Sequence, residues 1–197
     1  MAAAEIILFD LGGVLLPFDR ERRVRAMVEA LPITADAARV FMASDLHHRL
    51  DVGRATEGEV AAALSVVAGK TVTPAETRAL LLSVFEPPNM PLWDLVAALR
   101  EEIPVGGFSD NPAFVASIFP DGAFLEPMIF SAEIGAAKPT DAAFAAAEAR
   151  LGFGGESVLF IDDTPANVAA ARRRGWDAIL FTDNAALFAE LGARGLP

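Results

Sequence analysis

Four short segments set reactive side chains at the boundaries of apolar or helical runs. Ile6-Ile-Leu-Phe9 runs straight into Asp10 and then Leu11-Gly12-Gly13, and Ile103-Pro-Val-Gly-Gly-Phe108 runs into Ser109-Asp110-Asn111. Lys138-Pro139 opens a helical stretch, and Ser157-Val-Leu-Phe-Ile161 ends in the pair Asp162-Asp163. A continuous apolar run is how a buried parallel strand reads, and in open α/β sheets chemistry sits beyond the carboxyl ends of the strands. Asp10 is therefore placed to act as a nucleophile, although an aspartate in that position also serves simply to cap the next turn. A carboxylate, a hydroxyl, a lysine and an acidic pair, each at an element boundary, form a more specific set than any one of them. They suit a reaction that needs a positioned nucleophile and neutralisation of charge on a phosphoryl group.

The elements that must carry these groups are legible from spacing and capping. Between the first strand and the next lie about ninety residues of helical character. Val24, Met27, Val28 and Leu31 fall at helical spacing ahead of Pro32, and a second helix begins near Thr34 and includes Val40 and Phe41. Thr56-Glu-Gly-Glu59 and Thr73-Pro-Ala-Glu76 are capping boxes, in which threonine and glutamate satisfy each other's backbone donors. Pro87-Pro88 stops the last of about four helices. Beyond Pro91 strands and helices alternate with short links, with strands at Ile103 to Phe108, Met128 to Phe130, Ser157 to Ile161 and Ala178 to Phe181. That alternation predicts an α/β fold, a doubly wound parallel sheet covered by helices on both faces, with an inserted helical bundle. The expected division is 1–16 and 89–197 for the α/β core and 17–88 for the insertion.

The order of the reactive segments resembles the haloacid dehalogenase superfamily over nearly the whole chain. Asp10 matches its first motif, Ser109 its second, Lys138 its third, and Asp162 with Asp163 its fourth. Phe9-Asp-Leu-Gly-Gly-Val14, Glu133-Ile-Gly-Ala-Ala-Lys-Pro139 and Phe160-Ile-Asp-Asp-Thr-Pro-Ala-Asn167 are similar to the branch holding bacterial glucose-1-phosphate phosphatases and the phosphatase domain of soluble epoxide hydrolases. The resemblance implies a Rossmann-like core with a helical cap and a magnesium-dependent phosphatase acting on a small phosphorylated metabolite, sugar phosphates among them. Asp10 would form an aspartyl-phosphate, with Ser109 and Lys138 as its catalytic partners. Mg2+ would be held by Asp10, the Gly12 carbonyl and Asp163, with Asp162 behind them, or the acidic pair would share the ion through water. Substrate would touch Ser109, Asp110, Asn111, Lys138 and, from the cap, one histidine of the pair His47-His48, taken as His48. As a local alternative, Thr164 and Pro165 open a helix, but that accounts for neither aspartate.

Two positions depart from the family pattern. Gly12 stands where most of these phosphatases carry the aspartate that protonates the leaving group, and Asp110 stands where relatives carry asparagine. Asp19 and Asp110 are the candidate replacements for that acid, and Asp19 is the preferred one because it sits at the entrance to the cap. The alternatives are a 2-haloacid dehalogenase, which needs no metal, and a non-catalytic protein that keeps the phosphate pocket.

Composition narrows the field further. The chain of 197 residues has no cysteine, which excludes disulfides and thiolate zinc sites, and a net charge of −11, which opposes binding to nucleic acid. The basic cluster Arg172-Arg173-Arg174 precedes Gly175 and reads as a helix terminus, where cations favour the dipole. No apolar run approaches the roughly 20 residues of a membrane span. The start, Met1-Ala-Ala-Ala-Glu5, lacks a basic leader, so a cytoplasmic, soluble protein is expected, with its oligomeric state open.

Overall fold

The computed structural model describes residues 4–197. The first three residues of the expected 1–16 segment lie outside the described residues. Five parallel strands, β1 (Ile6–Phe9), β2 (Val105–Ser109), β3 (Met128–Phe130), β4 (Val158–Asp162) and β5 (Asp177–Leu180), form one sheet in the order β3-β2-β1-β4-β5. The central strand β1 pairs with β2 on one side and β4 on the other, with Phe9 opposite both Gly107 and Ile161. The chain thus leaves β1 toward one edge and later returns to fill the other. This reversal opens a crevice beyond the strand ends where Asp10, Ser109 and Asp162 emerge side by side.

Among the described residues ten α-helices complete the fold: α1 (Arg20–Ala30), α2 (Ala35–Met42), α3 (Asp45–Asp51), α4 (Glu57–Ala68), α5 (Pro74–Leu82), α6 (Met90–Leu99), α7 (Ser131–Ile134), α8 (Asp141–Leu151), α9 (Pro165–Arg173) and α10 (Asn184–Gly192). Alternation along β1 splits the core into two layers. Ile7 and Phe9 pack with Leu92 and Trp93 of α6 and Leu187 and Leu191 of α10, whereas Ile6 and Leu8 pack with Phe144 of α8 and Val168 of α9. Successive strand side chains point to opposite faces, so a strand buried on both sides must be apolar throughout, as β1 is. No helix among the described residues is long and apolar enough to cross a membrane.

Helices α1–α5 bury a hydrophobic cluster of their own around Met27, Phe41, Val60 and Leu64. Both capping boxes form, with Thr56 and Glu59 closing the start of α4 and Thr73 and Glu76 that of α5. The bundle contains five helices rather than about four: α3 is seven residues long and its Ser44 N-cap makes no side-chain bond, so neither periodicity nor capping marks it. Two linkers join bundle and sheet. They run antiparallel, with Asp19 N–H donating to the Val84 carbonyl and Glu86 N–H to the Pro17 carbonyl. Val84 and Phe85, near the end of the expected insertion, pack into the sheet core rather than the bundle.

A second contact holds bundle to core at the end of α3. The Ser131 hydroxyl donates to the Asp51 carbonyl, and Arg54 Nη2 donates to the Gly135 carbonyl at 3.4 Å. Between them Gly53, at φ 68°, lies so close to α7 that a Cβ would sit 2.1 Å from the Ala132 carbonyl oxygen. Gly53→Ala is expected to destabilise the protein by more than about 1 kcal/mol, since both backbone conformation and space are lost. Equilibrium urea unfolding of wild type and variant checks this.

Candidate active site

Asp10 leaves the end of β1 with its N–H donating to the Ile161 carbonyl at 2.8 Å. Its carboxylate lies 3.1 Å from the Lys138 ammonium, whose side chain is only 1% exposed. Lys138 reaches this spot from the segment ahead of α8 and is enclosed by acceptors, with Asp162 Oδ2 at 2.7 Å and the Phe108 carbonyl at 2.9 Å. The faces of Phe108 and Phe160 lie 5.1 Å from its nitrogen. Three acceptors match the three donors of an ammonium, so the buried cation is satisfied in full. Burial alone would lower its pKa, but Asp10, Asp162 and Asp110 together raise it above the usual lysine value. Asp10 is pushed up, by burial first and against the pull of Lys138.

The acidic pair divides into two roles because consecutive residues at a strand end point to opposite sides. Asp162 is wholly buried and spent on hydrogen bonds. Its Oδ1 accepts from Thr164 N–H at 2.7 Å, while Asn167, a turn into α9, donates to Oδ1 at 3.1 Å and Oδ2 at 3.0 Å. Asp163 lines the cavity instead, and its Oδ2 lies over Gly13, where a Cβ would come within 2.1 Å of that oxygen. Gly13 also has φ 80°, so the second glycine of Gly12-Gly13 is required twice, for the turn and for the room. Burial and the nearby Asp162 raise the pKa of Asp163. One oxygen from each of Asp10, Asp162 and Asp163 lies within 4.8 Å of the others. Three carboxylates against one lysine leave an excess of negative charge and oxygen donors, the surroundings a hard divalent cation requires.

These groups open into a cavity of about 490 Å³ between sheet and bundle. Among the expected residues, Asp10, Gly12, Asp110, Asn111, Lys138 and Asp163 line it. Three do not. Ser109 is fully buried beneath the Asn111 amide, which donates to its hydroxyl at 3.0 Å, Asp162 is sealed by α9, and His48 faces solvent on the exposed side of α3. The adjacent His47 lines the cavity in place of His48, since neighbouring helical residues diverge by about 100°. Asp110 stays at the cavity wall, with Oδ1 accepting from the Lys138 backbone N–H at 3.0 Å and burial raising its pKa. Asp19 corrects a further expectation. It is the exposed N-cap of α1, bonded to Glu21 N–H at 2.8 Å and Arg25 at 3.0 Å, and is not among the residues lining the cavity. Arg23, Asp51 and Phe85 also line the cavity, and no motif points to them. For Asp51 the signal is hidden with α3 itself.

The sequence profile of haloacid dehalogenase-like hydrolases matches residues 4–175. The chain belongs to that family. Among solved structures, this hydrolase is similar to a predicted HAD-like family hydrolase from Porphyromonas gingivalis, with a TM-score of 0.84 and 29% identity over 96% of this chain and 98% of that one. It shares its fold with a HAD family enzyme from Bacteroides thetaiotaomicron in complex with magnesium and inorganic phosphate, at a TM-score of 0.82 and 24% identity, over 94% of this chain and all (100%) of that one. Among curated proteins it is 23% identical over 182 residues to D-ribitol-5-phosphate phosphatase of Bacteroides thetaiotaomicron, covering 87% of this chain and 88% of the other.

Proposed function

We propose that this hydrolase is a magnesium-dependent phosphatase that cleaves the phosphate monoester of a small polyhydroxylated metabolite. The observation that carries the reading is the pairing of Asp10 with the buried Lys138 beside an acidic pair, at the floor of a cavity of about 490 Å³. That volume lies within the range of small-molecule sites, about 300–1,000 Å³. Likeness to a curated ribitol phosphate phosphatase supports a polyol or sugar phosphate as the substrate class.

Asp10 Oδ attacks phosphorus in line, and the bond to the leaving oxygen breaks as an aspartyl-phosphate forms. Water then attacks that phosphorus and frees Asp10. Lys138 neutralises Asp10 and Asp162, so that a phosphate dianion can approach a nucleophile that is itself an anion. Ser109 acts through Asn111, which its hydroxyl holds at the cavity wall. Asp10, Asp163 and the Gly12 carbonyl would hold Mg2+, with Asp162 orienting the set through Lys138 and Asn167. The ion supplies charge stabilisation to the phosphoryl oxygens. The bundle serves as a cap that keeps water from the site and restricts access to small substrates.

Phosphate release from a panel of phosphorylated sugars and polyols, ribitol 5-phosphate included, tests the reading with and without magnesium. Excess chelator should remove activity and magnesium restore it. Asp163→Ala should lose activity by more than about 10-fold with its unfolding midpoint unchanged. Asp162→Ala should instead lower that midpoint, because Lys138 and Asn167 lose a shared acceptor. Full turnover of a haloacid in chelator would replace the phosphatase reading with dehalogenation. Stabilisation by phosphate without product from any ester would support the binding protein that Gly12 suggests.

A further inference from the structure

With glycine at position 12, this site lacks the carboxyl that would hand a proton to the leaving oxygen. Asp19 is tied up as a helix cap outside the cavity, and Asp110 holds the Lys138 N–H. Glu21 lines the cavity, but both of its oxygens accept from Arg39, at 3.2 and 2.7 Å. Asp51, the last residue of α3, is different. It lines the same cavity, its side chain is 28% exposed there, and its carboxyl accepts no hydrogen bond among the described residues. Nor is it carried loosely. The Ser131 bond to its backbone and the close seating of Gly53 on α7 lock this end of α3 to the core beside β3.

The charged neighbours of Asp51 come from three elements. From α1, Arg23 donates to the Leu81 carbonyl at 2.6 Å and to His47 Nε2 at 3.1 Å. A guanidinium only donates, so His47 Nε2 is the acceptor, the ring is neutral and its proton sits on Nδ1. Burial, and then Arg23, push His47 down to about 4, in keeping with that state. Within α3, His47 Nε2 is therefore a lone pair, not a cation, at 3.9 Å from Asp51. From the loop after β2 comes Asp110, another acid. Burial raises Asp51 to about 7, with Arg23 opposing and Asp110 adding to the shift.

We propose that Asp51 is the general acid of this site, donating its proton to the leaving alkoxide and then, as a carboxylate, taking a proton from the attacking water. The inference rests on the phosphatase reading. In the first step Asp10 Oδ bonds to phosphorus, the ester P–O bond breaks with its electron pair on the leaving oxygen, and that oxygen receives the Asp51 proton. In the second, water oxygen bonds to phosphorus as the Asp10 O–P bond breaks, and the water proton returns to Asp51. Both residues end as they began.

The test compares wild type and Asp51→Asn on the alkyl phosphate that wild type cleaves fastest and on p-nitrophenyl phosphate, whose leaving group departs without a proton. Release of the leaving group is followed through the first turnover by rapid quench and stopped flow. In Asp51→Asn the alkyl ester should slow by about 100-fold or more, while the nitrophenol burst stays within about threefold. The burst should then stall as aspartyl-phosphate accumulates. The alkaline limb of kcat/KM for the alkyl ester should be present in wild type and absent in the variant. Asp51→Ser removes the same carboxyl with a different side chain and should give the same pattern. Equal losses on both esters, unimpaired alkyl cleavage, or disagreement between the two variants would overturn the role of Asp51 alone. A wild-type protein that releases phosphate from no ester would overturn the phosphatase reading and this one with it.

Discussion

Asp10→Asn is expected to reduce turnover by about 1,000-fold or more, since an amide cannot form the covalent intermediate and the loss of a nucleophile is among the largest single effects in catalysis. The fold should not suffer. Burial already disfavours the charged carboxylate of Asp10, and Asp162 remains to pair with Lys138 at 2.7 Å. The unfolding midpoint of Asp10→Asn in chelator should therefore equal or exceed that of wild type. Mass spectrometry after incubation with substrate should find phosphate on wild-type Asp10 and none on the variant. Near wild-type turnover by a sequence-verified sample would remove Asp10 from the mechanism.

Lys138→Met should have the largest effect on stability. The substitution keeps an unbranched side chain between Phe108 and Phe160 but strands Asp10 and Asp162 without their cation. Removing one partner of a buried charge set costs about 3–5 kcal/mol. The pH dependence has a definite sign. Lys138 is held above its usual value, so its stabilisation is complete below about pH 10 and is lost only as pH rises through the folded-state pKa. In the variant Asp10, which burial already pushes up, loses the lysine that opposed the rise, and the deficit should shrink as pH falls from 8 to 5. Urea unfolding in chelator at the two pH values measures both effects. A deficit that is small at pH 8, or that grows on acidification, would show that the ammonium is not what holds the two carboxylates together.

Much of this arrangement is written locally. The strands could be read because each buried strand is an unbroken apolar run. The starts of α4 and α5 could be read because a capping box is satisfied within four residues, and both boxes close as their sequences require. Helix α3 escaped because it has neither a hydrophobic stripe nor a side-chain cap; it is helical because Leu50 is buried and its end docks on α7. Asp19 was misplaced for a related reason. Position in the chain put it at the cap entrance, but a helix N-cap is a local demand that takes up the side chain first.

From its residues alone, then, this protein determines which strands end in reactive groups and in what order, because strand burial and capping depend on near neighbours. Which member of each adjacent pair meets the cavity is decided only by tertiary packing. Asp163 rather than Asp162 faces the space above Gly13, and His47 rather than His48 turns inward beside Arg23. A step of one residue swings a side chain through about 100° on a helix and to the opposite face at a strand end. The composition of a pair is the same in either orientation; only the surfaces packed around it distinguish inside from outside. Asp51 shows the same principle over a longer distance, since its place in the cavity is set by Ser131 and Gly53 seating α3 on a segment that lies far along the chain.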